Sequence, residues 1–131
     1  MNNSKLKVKA VLICDNVITE KDTGKNSLIG IFENINAKQF PATHPRLYVY
    51  VTFTEALGKY NFRLELVNIE NNQLAYPGSE ILGVESSDIA AHCNLVFGIN
   101  SLRLEQPGKY EFRLFVNGEI CETRSMNVNK V

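Results

Sequence analysis

The chain has 131 residues, sized for one domain spanning 1–131, with 44% hydrophobic and 21% charged residues. That balance suits a globular fold and excludes a disordered chain, which lacks the apolar content to offset its ordering entropy. Fourteen Lys and Arg face fourteen Asp and Glu, so the excess of cations that a nucleic-acid binder uses to displace phosphate counterions is missing. No apolar run approaches the roughly 18 residues of a membrane span.

Met1 to Lys9 is polar and then basic, with no apolar signal core, and the expected location is the cytoplasm. Lys5, Lys7 and Lys9 alternate, as on one side of an extended strand. Lysines there block edge-to-edge pairing, which is preferred to a binding patch. Val8 to Ile18 is apolar on both faces. The polar stretch Glu20 to Asn26 then leads into Leu28 to Ile35, and the two segments are expected to form the opening hairpin. Thr23-Gly-Lys-Asn-Ser27 within that turn lacks the first glycine of a phosphate loop and joins strands, so it is a polar turn.

Pro41 and Pro45 frame an irregular stretch. In Leu47 to Phe53, the residues Leu47, Val49, Val51 and Phe53 share one face, with Tyr48, Tyr50 and Thr52 on the other. After the turn Glu55 to Gly58, Tyr60, Phe62, Leu64 and Leu66 alternate with Asn61, Arg63 and Glu65. A loop at Glu70 to Gln73 precedes a weaker strand near Glu80 to Val84, and Ser86 to Ala91 is a short helix-like candidate. Ala91, Cys93, Leu95, Phe97 and Ile99 form another inward set. Short strands with period-two patterning, separated by closely spaced turns, predict an all-β, two-sheet antiparallel sandwich of about seven to nine strands.

Asn117-Gly118 signals a two-residue hairpin turn. It sets Phe115 opposite Ile120, Leu114 opposite Cys121 and Phe112 opposite Thr123, and on the solvent face Arg113 against Glu122 and Glu111 against Arg124. Two opposite-charge pairs support that register.

Gly58-Lys-Tyr-Asn-Phe-Arg-Leu64 and Gly108-Lys-Tyr-Glu-Phe-Arg-Leu114 match at six of seven positions. Two copies are too few for a solenoid and fit corresponding strands in the halves of one sandwich. The second copy, from Gln106 to Phe112, resembles the tyrosine corner of immunoglobulin-like domains, with Tyr110 and Glu111 leading to Phe112 where those domains hold cysteine. The chain has no tryptophan, so this resemblance concerns architecture alone. The blocks Leu12–Val17, Leu28–Phe32, Phe40–Tyr48 and Pro107–Phe112 look like an uncharacterised bacterial family of small β-sandwich proteins, over nearly the whole chain. That resemblance implies a bacterial origin and a fold, and no mechanism.

Chemistry-bearing residues are sparse. Cys14, Cys93 and Cys121 lack disulfide or zinc spacing and read as buried reduced thiols. His44 and His92 form no HxH or HExxH pattern, and no cofactor or metal site is expected. Asp15 follows an apolar run, where a structural role outweighs a catalytic one. Asp15, Asp22 and Asp88 are too scattered for a calcium-binding C2-like module that would bind a ligand or membrane.

Outward-pointing apolar residues remain: Tyr48, Tyr50, Val67, Val96, Phe115 and Ile120. The expectation is a non-enzymatic binding or assembly module that meets a protein partner, or its own copy, through an exposed sheet face including Tyr48, Tyr50, Phe115 and Ile120. No nucleic acid and no specific small molecule is implied. The alternatives are a small metal-dependent or hydrolytic enzyme using Asp15, His44 or His92, and a C2-like module that binds a ligand or membrane.

Overall fold

The computed structural model describes residues 6–131. Among them run nine strands: β1 (Lys7–Thr19), β2 (Asn26–Ile31), β3 (Asn34–Ala37), β4 (Ala42–Thr54), β5 (Gly58–Asn68), β6 (Gln73–Ser86), β7 (Cys93–Leu104), β8 (Gly108–Val116) and β9 (Glu119–Lys130). They form two layers, β2-β1-β4-β7 and β3-β9-β8-β5-β6. This is the all-β sandwich that the period-two pattern predicts, and the helix-like candidate at 86–91 is strand end and turn.

The inner faces supply the reason for two layers. Leu47, Val49, Val51 and Phe53 are fully buried in β4, facing Phe62, Leu64 and Leu66 of β5 and Tyr110, Phe112 and Leu114 of β8. A strand exposes side chains alternately, so each layer has one greasy face to cover. Each such side chain contributes roughly 1.5–3 kcal/mol on burial.

Leu28 to Ile35 is not one strand. β2 pairs with β1 in the first sheet, and β3 then crosses to pair in parallel with the end of β9 in the second. The sandwich is therefore not wholly antiparallel. Because β2 and β3 cover only part of this flank, Lys7 to Leu12 and Glu119 to Met126 have a strand neighbour on one side alone among the described residues. Lys7 and Lys9 are exposed on one open edge and Arg124 on the other, a placement that discourages edge pairing. Lys5 lies outside the described residues.

The repeated motifs do not occupy different layers. They are β5 and β8, adjacent and antiparallel in one sheet, with Leu64 directly opposite Leu114. Each Leu is the last residue of its motif, so a local two-fold axis passes through that pair. The equivalent tyrosines both close corners: Tyr110 Oη donates to the Gln106 carbonyl at 2.6 Å, and Tyr60 Oη donates to the Leu57 carbonyl at 3.0 Å.

The β8–β9 hairpin turns at Asn117 and Gly118, both with positive φ. Phe115 opposes Ile120, as the turn chemistry dictates, but a bulge follows between Leu114 and Phe115. Leu114 then opposes Glu122, and Arg113 opposes Thr123. The extra residue, Cys121, is exposed. Glu122 and Arg124 therefore share the side of Leu114 and Phe112, and Arg113 bonds Glu111 on its own strand at 2.9 Å instead. The two cross-strand charge pairs expected from an unbroken register do not form.

Candidate functional site

Directly opposed residues share a face of a sheet, so the ladders define what the outside of the first sheet presents. One row is Ile31, Cys14, Tyr48 and Gly98; the next is Leu12, Tyr50 and Val96. Neither row contains a charged residue. Ile31 is 54% exposed and Val96 37%, while Tyr48 and Tyr50 are half-buried. Tyr48 owes its partial burial to Gly98: a Cβ there would come within 3.1 Å of the tyrosine ring, so the ring lies across the glycine. Cys14 is completely buried, and burial pushes its thiol up, with Asp15 adding to the rise and a backbone hydrogen bond from Asn16 opposing it.

At the upper end of this sheet the ladder between β1 and β4 stops at Cys14–Tyr48. β1 continues to Thr19 beside β2, and β4 comes in from Ala42 beside β7. The wedge between them is an open cleft of about 590 Å³ lined by Asp15, His44, Pro45, Arg46 and Asn100. A second hollow shares Asp15 and His44 and extends to Phe32, Asn34, Ile35 and Asn36. His44 is half-buried, with its ring centroid 5.7 Å from that of Phe32. Its placement depends on β7. Ile99 and Leu102 are both buried because Ser101, at φ 52°, shifts the alternation. Leu102 carries its partner His44 to the core side with it. No sequence pattern announces such a shift at a serine.

Asp15 and His44, two of the three residues of the enzymatic alternative, thus meet at one cleft. His92 does not join them: its Nδ1 lies 3.0 Å from Lys9 Nζ, and Lys9 precedes Asp15 by six residues, about 20 Å of strand. Asp22 is in the β1–β2 turn, and Asp88 is in the β6–β7 connection at the opposite end, where the Ile89 carbonyl accepts from the Glu55 amide. No three His, Cys, Asp or Glu side chains group to hold a metal among the described residues.

The four residues expected on one partner surface divide between opposite sides. Tyr48 and Tyr50 face out from the first sheet, whereas Phe115 and Ile120 pair on the second. There Phe115 is half-buried beneath the Arg63 guanidinium, 4.2 Å from the ring centroid, and Ile120 is 54% exposed. Val67, also expected outside, is only 3% exposed. Of the three thiols only Cys14 is buried; Cys93 is half-buried and Cys121 exposed. Ile29 and Ile31 of β2, with Arg46 and Asn100 at the wedge, complete the surface and were hidden by reading 28–35 as one strand and 41–45 as loop.

Solved structures resemble the chain at low identity. A DNA glycosylase for alkylpurines from Pseudomonas fluorescens, AlkC, solved on DNA with an abasic site analogue, matches 95% of this chain at 12% identity and a TM-score of 0.59. A β-glucosidase from Listeria innocua matches 98% at 11% identity and a TM-score of 0.48. An immunoglobulin-like protein from Pseudomonas aeruginosa matches 95% of this chain and 97% of its own at 11% identity and a TM-score of 0.42. The chain spans 30% of the glycosylase and 17% of the glucosidase, and at these identities the likeness concerns the fold alone. No curated protein matches in sequence. Residues 9–129 match the model of a family of unknown function, DUF6941, and the chain belongs to that family.

Proposed function

We propose that the domain is a non-enzymatic cytoplasmic binding or assembly module that works through the outer face of β2-β1-β4-β7. The observation that carries this reading is the uncharged pair of rows from Ile31 to Gly98 and from Leu12 to Val96. An antiparallel sheet with a solvent-facing side normally alternates polar residues outward, and here four neighbouring strands put Ile, Leu, Tyr and Val there. A second copy of this chain is the partner that such a face fits most simply, because the two rows themselves hold no charge that docking would desolvate. Three free cysteines support a reducing compartment, and no helix among the described residues is long and apolar enough to cross a membrane.

Sedimentation and light scattering test the proposal. The parent chain is expected to self-associate, and Val96→Asp to dissociate it at least a hundredfold, since a desolvated unpaired charge costs several kcal/mol. Phe115→Asp, on the other sheet, should leave association unchanged. A strictly monomeric parent, or a Val96→Asp variant that associates normally, would overturn the reading.

A further inference from the structure

The wedge between β1 and β4 stands apart from the apolar face in its chemistry. Asp15 lines one wall, at the first position past the last β1–β4 pair, and His44 and Arg46 line the other, with Asn100 beside them. Asp15, Arg46 and His44 are each set against a neighbour that leaves their polar atoms unused. Asp15 rests over Gly30, where a Cβ would overlap its carboxylate, and Gly30 at φ 68° holds a conformation that favours glycine. Arg46 extends over the Tyr48 ring, 5.7 Å from its centroid, an arrangement that leaves the guanidinium edge free. His44 leans on Phe32.

None of these four side chains has a hydrogen-bond or ion-pair partner among the described residues. Three of the other four arginines, Arg63, Arg103 and Arg113, each bond a glutamate two residues away, and Arg124 stands exposed on the open edge of β9. Asp15 and Arg46 line the same cleft and do not bridge it to one another. A ligand of single charge would satisfy one and leave the other facing it unmatched. A ligand carrying both charges would satisfy both, with His44 and Asn100 available to either end.

We propose that this wedge binds a small zwitterion of the α-amino-acid class, its ammonium on Asp15 and its carboxylate on Arg46. The inference does not rest on the outer-face reading, since no step of it requires an assembly. Because the cleft is open and the ligand has few atoms, affinity should be roughly millimolar.

The test is titration of the isotope-labelled full chain, followed by amide chemical shifts, with each of the twenty common α-amino acids and with methylammonium and acetate. At least one amino acid should shift the amides of Asp15, His44, Arg46 and Asn100 saturably, and bind about tenfold tighter than either singly charged probe. Asp15→Asn and Arg46→Gln should each weaken that binding about tenfold, with the remaining spectrum unchanged because both positions are exposed. The proposal fails if no amino acid moves these amides, if acetate or methylammonium binds as well, or if both variants bind like the parent. Should either substitution disturb the whole spectrum, Asn100→Ala, an exposed wedge residue, gives the same reading at smaller amplitude, and unchanged affinity there counts against the site.

Discussion

The outer faces of the two sheets cover themselves in different ways. On the second sheet, Arg63 bonds Glu65, Arg113 bonds Glu111, and Glu65 lies directly opposite Arg113, so charges of alternating sign tile β5 and β8. Of the large apolar residues there, Phe115 is roofed by the Arg63 guanidinium, while Ile120 and Leu82 stand singly exposed. On the first sheet the outer rows hold Leu12, Tyr48, Tyr50 and Val96, and among the described residues the cation over a ring there is Arg46 at the margin. One face thus sets its apolar residues singly among paired charges. The other leaves a broad apolar surface that a partner would cover.

The largest effect that sharpens this contrast comes from the two phenylalanines of β8. Phe112 is 1% exposed and packed between the sheets, and Phe115 points the other way under Arg63. Urea unfolding should show Phe112→Ala costing about 3–5 kcal/mol through lost burial and a cavity. Phe115→Ala should cost about 1 kcal/mol, the order of a cation–π contact with modest burial. Equal costs would mean that the second outer face is part of the core, and the comparison would fall.

A smaller effect tests the paired corners of the second sheet. Tyr110 is 1% exposed, and burial pushes its phenol above the ordinary value of 10.0, opposed by hydrogen bonds with Gln106 and Asn68 and aided by Glu105 and Glu70. A phenol whose folded value is raised stays neutral while the unfolded chain begins to ionise. Stability is therefore complete below pH 10 and falls as pH rises from there towards the folded value. Tyr110→Phe should cost roughly 1–2 kcal/mol at neutral pH, by stripping the Gln106 carbonyl of its donor, and should flatten part of the alkaline fall. A fall of unchanged steepness in the variant would assign it to other groups.

How far the fold was legible in sequence follows the same divide. Where one period ran unbroken, as at Leu47 to Phe53 or Tyr60 to Leu66, alternation alone located the core, because two residues per repeat leave one face no choice. It stopped being readable at single-residue irregularities. Ser101 reverses the inward side of β7 and takes His44 with it, and the extra residue Cys121 moves Glu122 and Arg124 off the outer face. Bulges need no special residue type, so patterning cannot place them. The sheet switch between Ile31 and Asn34 was equally silent, since both sides of it read as strand. The wedge is the product of these irregularities, which is why Asp15 and His44 could be named singly but not joined.

The smallest expected effect again sets one face against the other, through thiols. Cys14 lies in the first sheet between Ile31 and Tyr48 with no exposed surface, and its thiol is raised above the ordinary 9.0, chiefly by burial. Cys121 is the exposed bulge residue of β9; its thiol is raised too, by desolvation and then by Glu122, so its reaction should be slow near neutral pH and quicken as pH rises. Labelling requires the thiolate and access together. Under native conditions at mildly alkaline pH, mass spectrometry after maleimide treatment should find Cys121 modified, with Cys14 modified only after denaturant is added. Self-association through the first sheet would leave Cys121 reactive, because that residue sits on the other layer. Rapid native labelling of Cys14 would mean that Tyr48 and Ile31 open readily, and a face that opens so easily is a poor platform for a partner.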